Sequence, residues 1–154
     1  MTRRAAIIII SFFLSSHLCF SQNGIIHNQH TKTITITTPD QKLSISVDYS
    51  KGCIIKQVAL KNSNTLSASG VYTGITAGTK TASSANQTGH ITIRKTPEGI
   101  SLNGITYGTD AIQIKEAWNF NLKGDKIRWD ITRDYSATTN LARAFSVAKK
   151  LHFG

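Results

Sequence analysis

The chain has 154 residues, with 18 Lys and Arg against 8 Asp and Glu, a formal net charge of +10, and two cysteines. That length suits one domain. No Arg-rich arm or nucleic-acid motif accompanies the positive charge, which reads as a solvated basic surface, and nothing in it points to DNA or RNA as partner.

Residues 1–21 read as a secretory signal peptide: Arg3 and Arg4, then the apolar run A-A-I-I-I-I-S-F-F-L, then small residues before a cleavage point at Ser21–Gln22. The run is too short for a good membrane anchor. The expected location is the periplasm or the outside of the cell, with no transmembrane anchor in the mature chain. His17 and Leu18 do not supply the small residues that lipid attachment at Cys19 would need. Cleavage leaves about 130 residues, enough to bury roughly two thirds of the surface. It also leaves Cys53 as the only cysteine, so no internal disulfide forms, and its apolar setting suits a buried structural thiol.

Residues 22–32 are polar and read as a flexible tail, with His27 and His30 as solvated side chains in preference to a weak metal pair. The β-sandwich domain is expected over 33–154, incomplete at its C-terminal end. Thr33–Thr38 is an alternating β-branched strand, Pro39–Asp40 a turn, and Lys42–Tyr49 and Cys53–Leu60 two more strands. Residues 62–70 and 77–89 are Ser/Thr/Ala/Asn/Gly-rich loops around a short strand at 71–76. Gly70, Gly74 and Gly78 have no following Lys-Ser/Thr and no helix, so they do not make a phosphate loop. His90–Lys95 and Ile100–Tyr107 are strands, the second open to a tight turn at Asn103–Gly104.

The strongest pattern runs from Asp110 to Tyr135. Apolar residues alternate through Ile112, Ile114, Trp118, Phe120 and Leu122, and again through Ile127, Trp129, Ile131 and Tyr135, on either side of K-G-D-K. A period of two on both sides of a turn makes a hairpin with one buried face. A loop at Lys123–Lys126 sets Leu122 opposite Ile127, Phe120 opposite Trp129, Trp118 opposite Ile131, and Glu116 opposite Arg133. Trp118, Phe120, Trp129 and Ile131 are thereby assigned to the core. Glu116 and Arg133 become a structural ion pair, because neither charge could be buried alone. About eight or more strands and no convincing helix before residue 136 give an all-β antiparallel sandwich. Leu141–Gly154 reads equally as a short C-terminal helix or as a last strand whose continuation is missing.

The remaining acids sit in turns or on polar strand faces, and no G-x-S-x-G elbow, H-E-x-x-H helix or clustered Cys/His set is present. No catalytic residue, metal or cofactor is therefore assigned. Tyr72 and Tyr107, near turns, are the candidates for exposed contact with a ligand, since sugar C–H faces stack on aromatic rings.

The residues Glu116, Trp118 and Phe120 (E-x-W-x-F) and Ile127, Trp129, Ile131, Arg133 and Tyr135 (I-x-W-x-I-x-R-x-Y) resemble the N-terminal supersandwich module, similar to the galactose-mutarotase fold, of exported bacterial glycosidases built on an α/α toroid. The likeness spans about residues 33–135. It implies a glycoside hydrolase-related, non-catalytic module whose catalytic carboxylates lie in a C-terminal helical domain missing from this chain. Polysaccharide or oligosaccharide is the implied partner. Two other readings stand beside it: a free-standing secreted carbohydrate-binding or adhesion module, and a mutarotase-like sugar epimerase. The last needs a histidine and a carboxylate converging in a cleft, and His90 has no evident acid partner.

Overall fold

The computed structural model describes residues 24–137, which form eleven strands, all paired antiparallel. The expected signal peptide and the expected C-terminal helix or strand lie outside the described residues. Five consecutive strands make one sheet as a meander: β1 (Ile25–Asn28), β2 (Thr33–Thr37), β3 (Leu43–Asp48), β4 (Ile54–Leu60) and β5 (Ser63–Asn64). A separate hairpin follows, β6 (Gly74–Ala77) with β7 (Lys80–Ser83), and then one turn of 3-10 helix at Ser84–Asn86. The second large sheet joins β8 (Thr92–Thr96), β9 (Gly99–Gly108), β10 (Ile112–Lys123) and β11 (Lys126–Ala137), with β8 and β11 at its edges. No helix among the described residues is long and apolar enough to cross a membrane.

Alternation places the core. Ile34 and Ile36 of β2, Ile45 and Val47 of β3 and Ile55 of β4 meet Ile100, Leu102, Ile105, Ile112, Ile114, Trp118 and Phe120 in one buried cluster. The two sheets are thus the layers of an antiparallel β-sandwich, each with one apolar face turned inward.

The hairpin of β10 and β11 has the expected register. Leu122 pairs with Ile127, Phe120 with Trp129, Trp118 with Ile131 and Glu116 with Arg133. Gly124 takes φ +60 in a two-residue turn, the arrangement that matches the twist of the flanking strands. Burial along β11 is less complete than expected. Trp129 is half-buried against the core, whereas Ile131 is 37 % exposed. β11 is an edge strand, and on its inward face Ile131 and Tyr135 remain exposed.

Other expectations change. Residues 22–32 are not simply a tail: Ile25–Asn28 pairs with β2, Ile25 is buried, and the Asn28 side chain accepts from the backbone N–H groups of His30 and Thr31 at 3.0 Å to shape the turn. His27 is half-buried and shares a 2.5 Å hydrogen bond with the Tyr49 hydroxyl, so it ties β1 to the end of β3, while His30 stays exposed in the turn. The stretch 77–89 contains β7. The short strand expected at 71–76 starts only at Gly74, and Val71 is buried in an isolated bridge to Ile55.

Asn103–Gly104 does not turn the chain. β9 runs through it with a bulge, since Glu116 pairs with Ile105 but Ala117 pairs with Asn103. The extra residue switches which parity faces inward. Ile100 and Leu102 point into the core before it, and Ile105 and Tyr107 after it. Gly104 fills the extra position at φ +86, where a Cβ would run into the His90 carbonyl oxygen.

Gly104→Ala should therefore cost about 1–3 kcal/mol, measured as a lower denaturation midpoint at unchanged m-value. An unchanged midpoint would contradict the bulge. Burial, joined by the Lys95 charge, lowers the His27 pKa. The folded protein then holds fewer protons than the unfolded chain, so stability is full above about pH 6.5 and falls as acid is added through that value. His27→Gln should flatten the dependence below about pH 6.5, and an identical slope in the variant would remove His27 as its source.

Candidate functional site

The largest polar constellation in the interior surrounds Glu116, which is 1 % exposed on β10. Its position follows from alternation: it shares the inward face with Ile114 and Trp118, directly across from Arg133 on β11. Oε2 accepts from the Thr73 hydroxyl at 2.5 Å and from Trp118 Nε1 at 2.9 Å. Oε1 accepts from the Tyr107 hydroxyl at 2.8 Å and from Arg133 Nε at 2.5 Å, and Arg133 Nη2 completes the ion pair. Arg133 Nη2 also donates to the Tyr107 oxygen at 3.0 Å. The carboxylate is thus held by donors from β9, β10, β11 and the segment before β6.

The electrostatics follow from burial. Desolvation is the largest single influence on Arg133 and lowers its pKa, but the Glu116 charge, the hydrogen bonds to Tyr135 and Glu116 and the nearby Tyr107 together outweigh it, and the net shift is upward. Desolvation raises the pKa of the Tyr107 hydroxyl, which stays a neutral donor. The Cys53 thiol, fully buried, is likewise pushed up by burial and then by nearby carboxylates, the opposite of what a nucleophile needs.

The expected pair of Glu116 and Arg133 is therefore brought together. Tyr107 is not the exposed contact residue expected of it: it is 2 % exposed, and its hydroxyl serves the buried carboxylate. The bulge at Gly104 is what turns it inward. Thr73 was not singled out by the sequence, because its partner lies 43 residues away and nothing local marks it. Ser84 was missed for the same reason. It is fully buried, donates to the Cys53 carbonyl at 2.8 Å and accepts from the Thr73 N–H at 3.1 Å, so it fixes the segment carrying Thr73.

Trp118 and Phe120 are completely buried, and Trp129 stacks on Phe120 at 5.9 Å with a 4° interplanar angle. Trp129 also meets Trp118 edge-on at 4.8 Å. These rings are occupied with one another and with the core, which leaves no free platform at Trp118 or Phe120.

Tyr72 is half-buried and lines a surface cleft of about 270 Å³ together with Thr76, Thr81, Ser83 and Asn86. Hydroxyl and amide groups beside one aromatic ring suit a neutral, hydroxyl-rich ligand. His90 is exposed, and its carbonyl, packed on Gly104, is the part of it that the fold uses. Comparisons with known protein families, curated proteins and solved structures found no match to this chain.

Arg133→Leu should destabilise the protein by about 3–5 kcal/mol, because Glu116 is left buried without its counter-charge. Adding Glu116→Gln should recover part of that loss in chemical denaturation. A single variant within about 0.5 kcal/mol of the parent would show a solvated pair.

Proposed function

We propose that the chain is an exported, non-catalytic β-sandwich module that contacts polysaccharide, related to the module N-terminal to the helical barrel in α/α-toroid glycoside hydrolases. One observation carries the non-catalytic part. Glu116, the acid on the buried face, has both oxygens engaged by short hydrogen bonds and an ion pair. A general acid or nucleophile needs an oxygen open to substrate, and this carboxylate offers none. The residues that carry the family resemblance are the same ones that build this interior: Glu116, Trp118, Phe120, Trp129 and Arg133. They act as scaffold, and the chemistry of such a system belongs to a separate catalytic domain.

The cleft at Tyr72 supports the carbohydrate contact. It also favours the second reading, a free-standing carbohydrate-binding module, which uses the same surface without a catalytic partner. The epimerase reading has less behind it, since it asks for an acid converging with His90.

The test is retention on immobilised or insoluble polysaccharides and on a glycan array. The proposal expects at least one polysaccharide to retain the protein and Tyr72→Ala to weaken retention by roughly three- to tenfold, the loss of one stacked ring at about 0.5–1.5 kcal/mol. Retention by no glycan, or release of reducing sugar by the purified chain, contradicts it.

A further inference from the structure

We propose that the free edge of β11 is a self-complementary interface, pairing antiparallel with β11 of a second copy about a two-fold axis through Ile131. The strand is 12 residues long, and its only strand partner among the described residues is β10. It contains no proline, and the charge on its inward face, Arg133, is already neutralised by Glu116. Long edges of this kind are ordinarily blunted or covered.

The backbone is set up for pairing. The two-residue turn makes Lys123 and Lys126 a hydrogen-bonded pair, and such pairs then recur at every second position. The even-numbered residues of β11 thus bond to β10. Ile127, Trp129, Ile131, Arg133 and Tyr135 turn their N–H and C=O groups to the outer edge. The same residues form the inward face, apolar except for Arg133, with Ile131 37 % and Tyr135 46 % exposed.

Charge selects the register. The chain as a whole is strongly basic, yet the outward face of β11 is balanced, with Lys126 and Arg128 against Asp130 and Asp134. Arg128 forms an exposed ion pair with Asp130 at 2.8 Å, and Asp134 has no ion-pair partner within 4.0 Å among the described residues. With Ile131 opposite Ile131 of the second copy, Arg128 stands opposite Asp134, Asp130 opposite Thr132 and Lys126 opposite Ser136. On the inward face Ile127 then stands opposite Tyr135. A shift of one pairing step either way sets Asp130 against Asp130 or against Asp134, which like-charge repulsion disfavours. The result is an eight-stranded sheet running through the dimer, with Ile131 set beside its own copy and Tyr135 beside Ile127 of the second copy.

Sedimentation equilibrium of the whole protein tests this. The expected result is a concentration-dependent dimer. Arg128→Asp and Asp134→Arg should each weaken it about tenfold, since two symmetry-related contacts turn from attraction to repulsion, and the double swap should restore it. Both side chains are exposed, so circular dichroism should show the fold unchanged in every variant. A monomer at all concentrations, as expected if residues 138–154 or another protein cover this edge, overturns the proposal. So does a dimer that tolerates both single swaps.

Discussion

One carboxylate, removed from water and surrounded by apolar side chains, constrains the rest of this molecule. Glu116 cannot sit in the interior without a counter-charge and a full set of donors, and no single strand supplies them. Arg133 comes from β11, Tyr107 from β9, Trp118 from β10 itself, and Thr73 from the segment before β6. Each donor reaches it only if its own strand is in register. An ion pair of this kind adds little net stability compared with apolar residues in its place. Its effect is on specificity: sliding β11 by two residues would keep the apolar faces matched but would move Arg133 from directly opposite Glu116 to a diagonal position and break the fitted set of donors.

This accounts for the position of the small β6–β7 hairpin. By its pairing alone it belongs to neither large sheet. It is held by the Ile55–Val71 bridge, by Ser84 between Cys53 and Thr73, and by the Thr73 hydroxyl on Glu116. The hairpin then forms a wall of the cleft at Tyr72. A buried structural charge at one end and a hydroxyl-lined surface cleft at the other are connected through two consecutive residues, Tyr72 and Thr73. Glu116 has no free oxygen, and the features open to a partner among the described residues lie at the surface: the cleft and the outer margin of β11.

Much of this was legible in the sequence because the signals were local. Alternation across K-G-D-K fixed the β10–β11 register, including the pairing of Glu116 with Arg133. The apolar positions 100, 102, 105 and 107 already carry a change of parity at Asn103–Gly104, which a bulge explains and a turn does not. β1 and β7 were hidden by polar composition, as I-I-H-N and K-T-A-S have too little alternation to stand out from loops. The Thr73 contact was not legible, since a hydroxyl 43 residues distant carries no mark of its partner. The exposure of Ile131 was not legible either. Alternation says which face a residue takes but not how far the opposite sheet extends.

Hydrogen exchange at the Trp118 indole N–H tests the central claim most directly. This proton is donated to Glu116 Oε2 in a fully buried site. If the carboxylate and its donors form one interlocked unit, it should exchange only through global unfolding, with a protection free energy equal to that from denaturation and the same denaturant dependence. Exchange through a local opening, orders of magnitude faster than global unfolding and insensitive to denaturant, would show that Glu116 is not locked and that the sandwich does not depend on it.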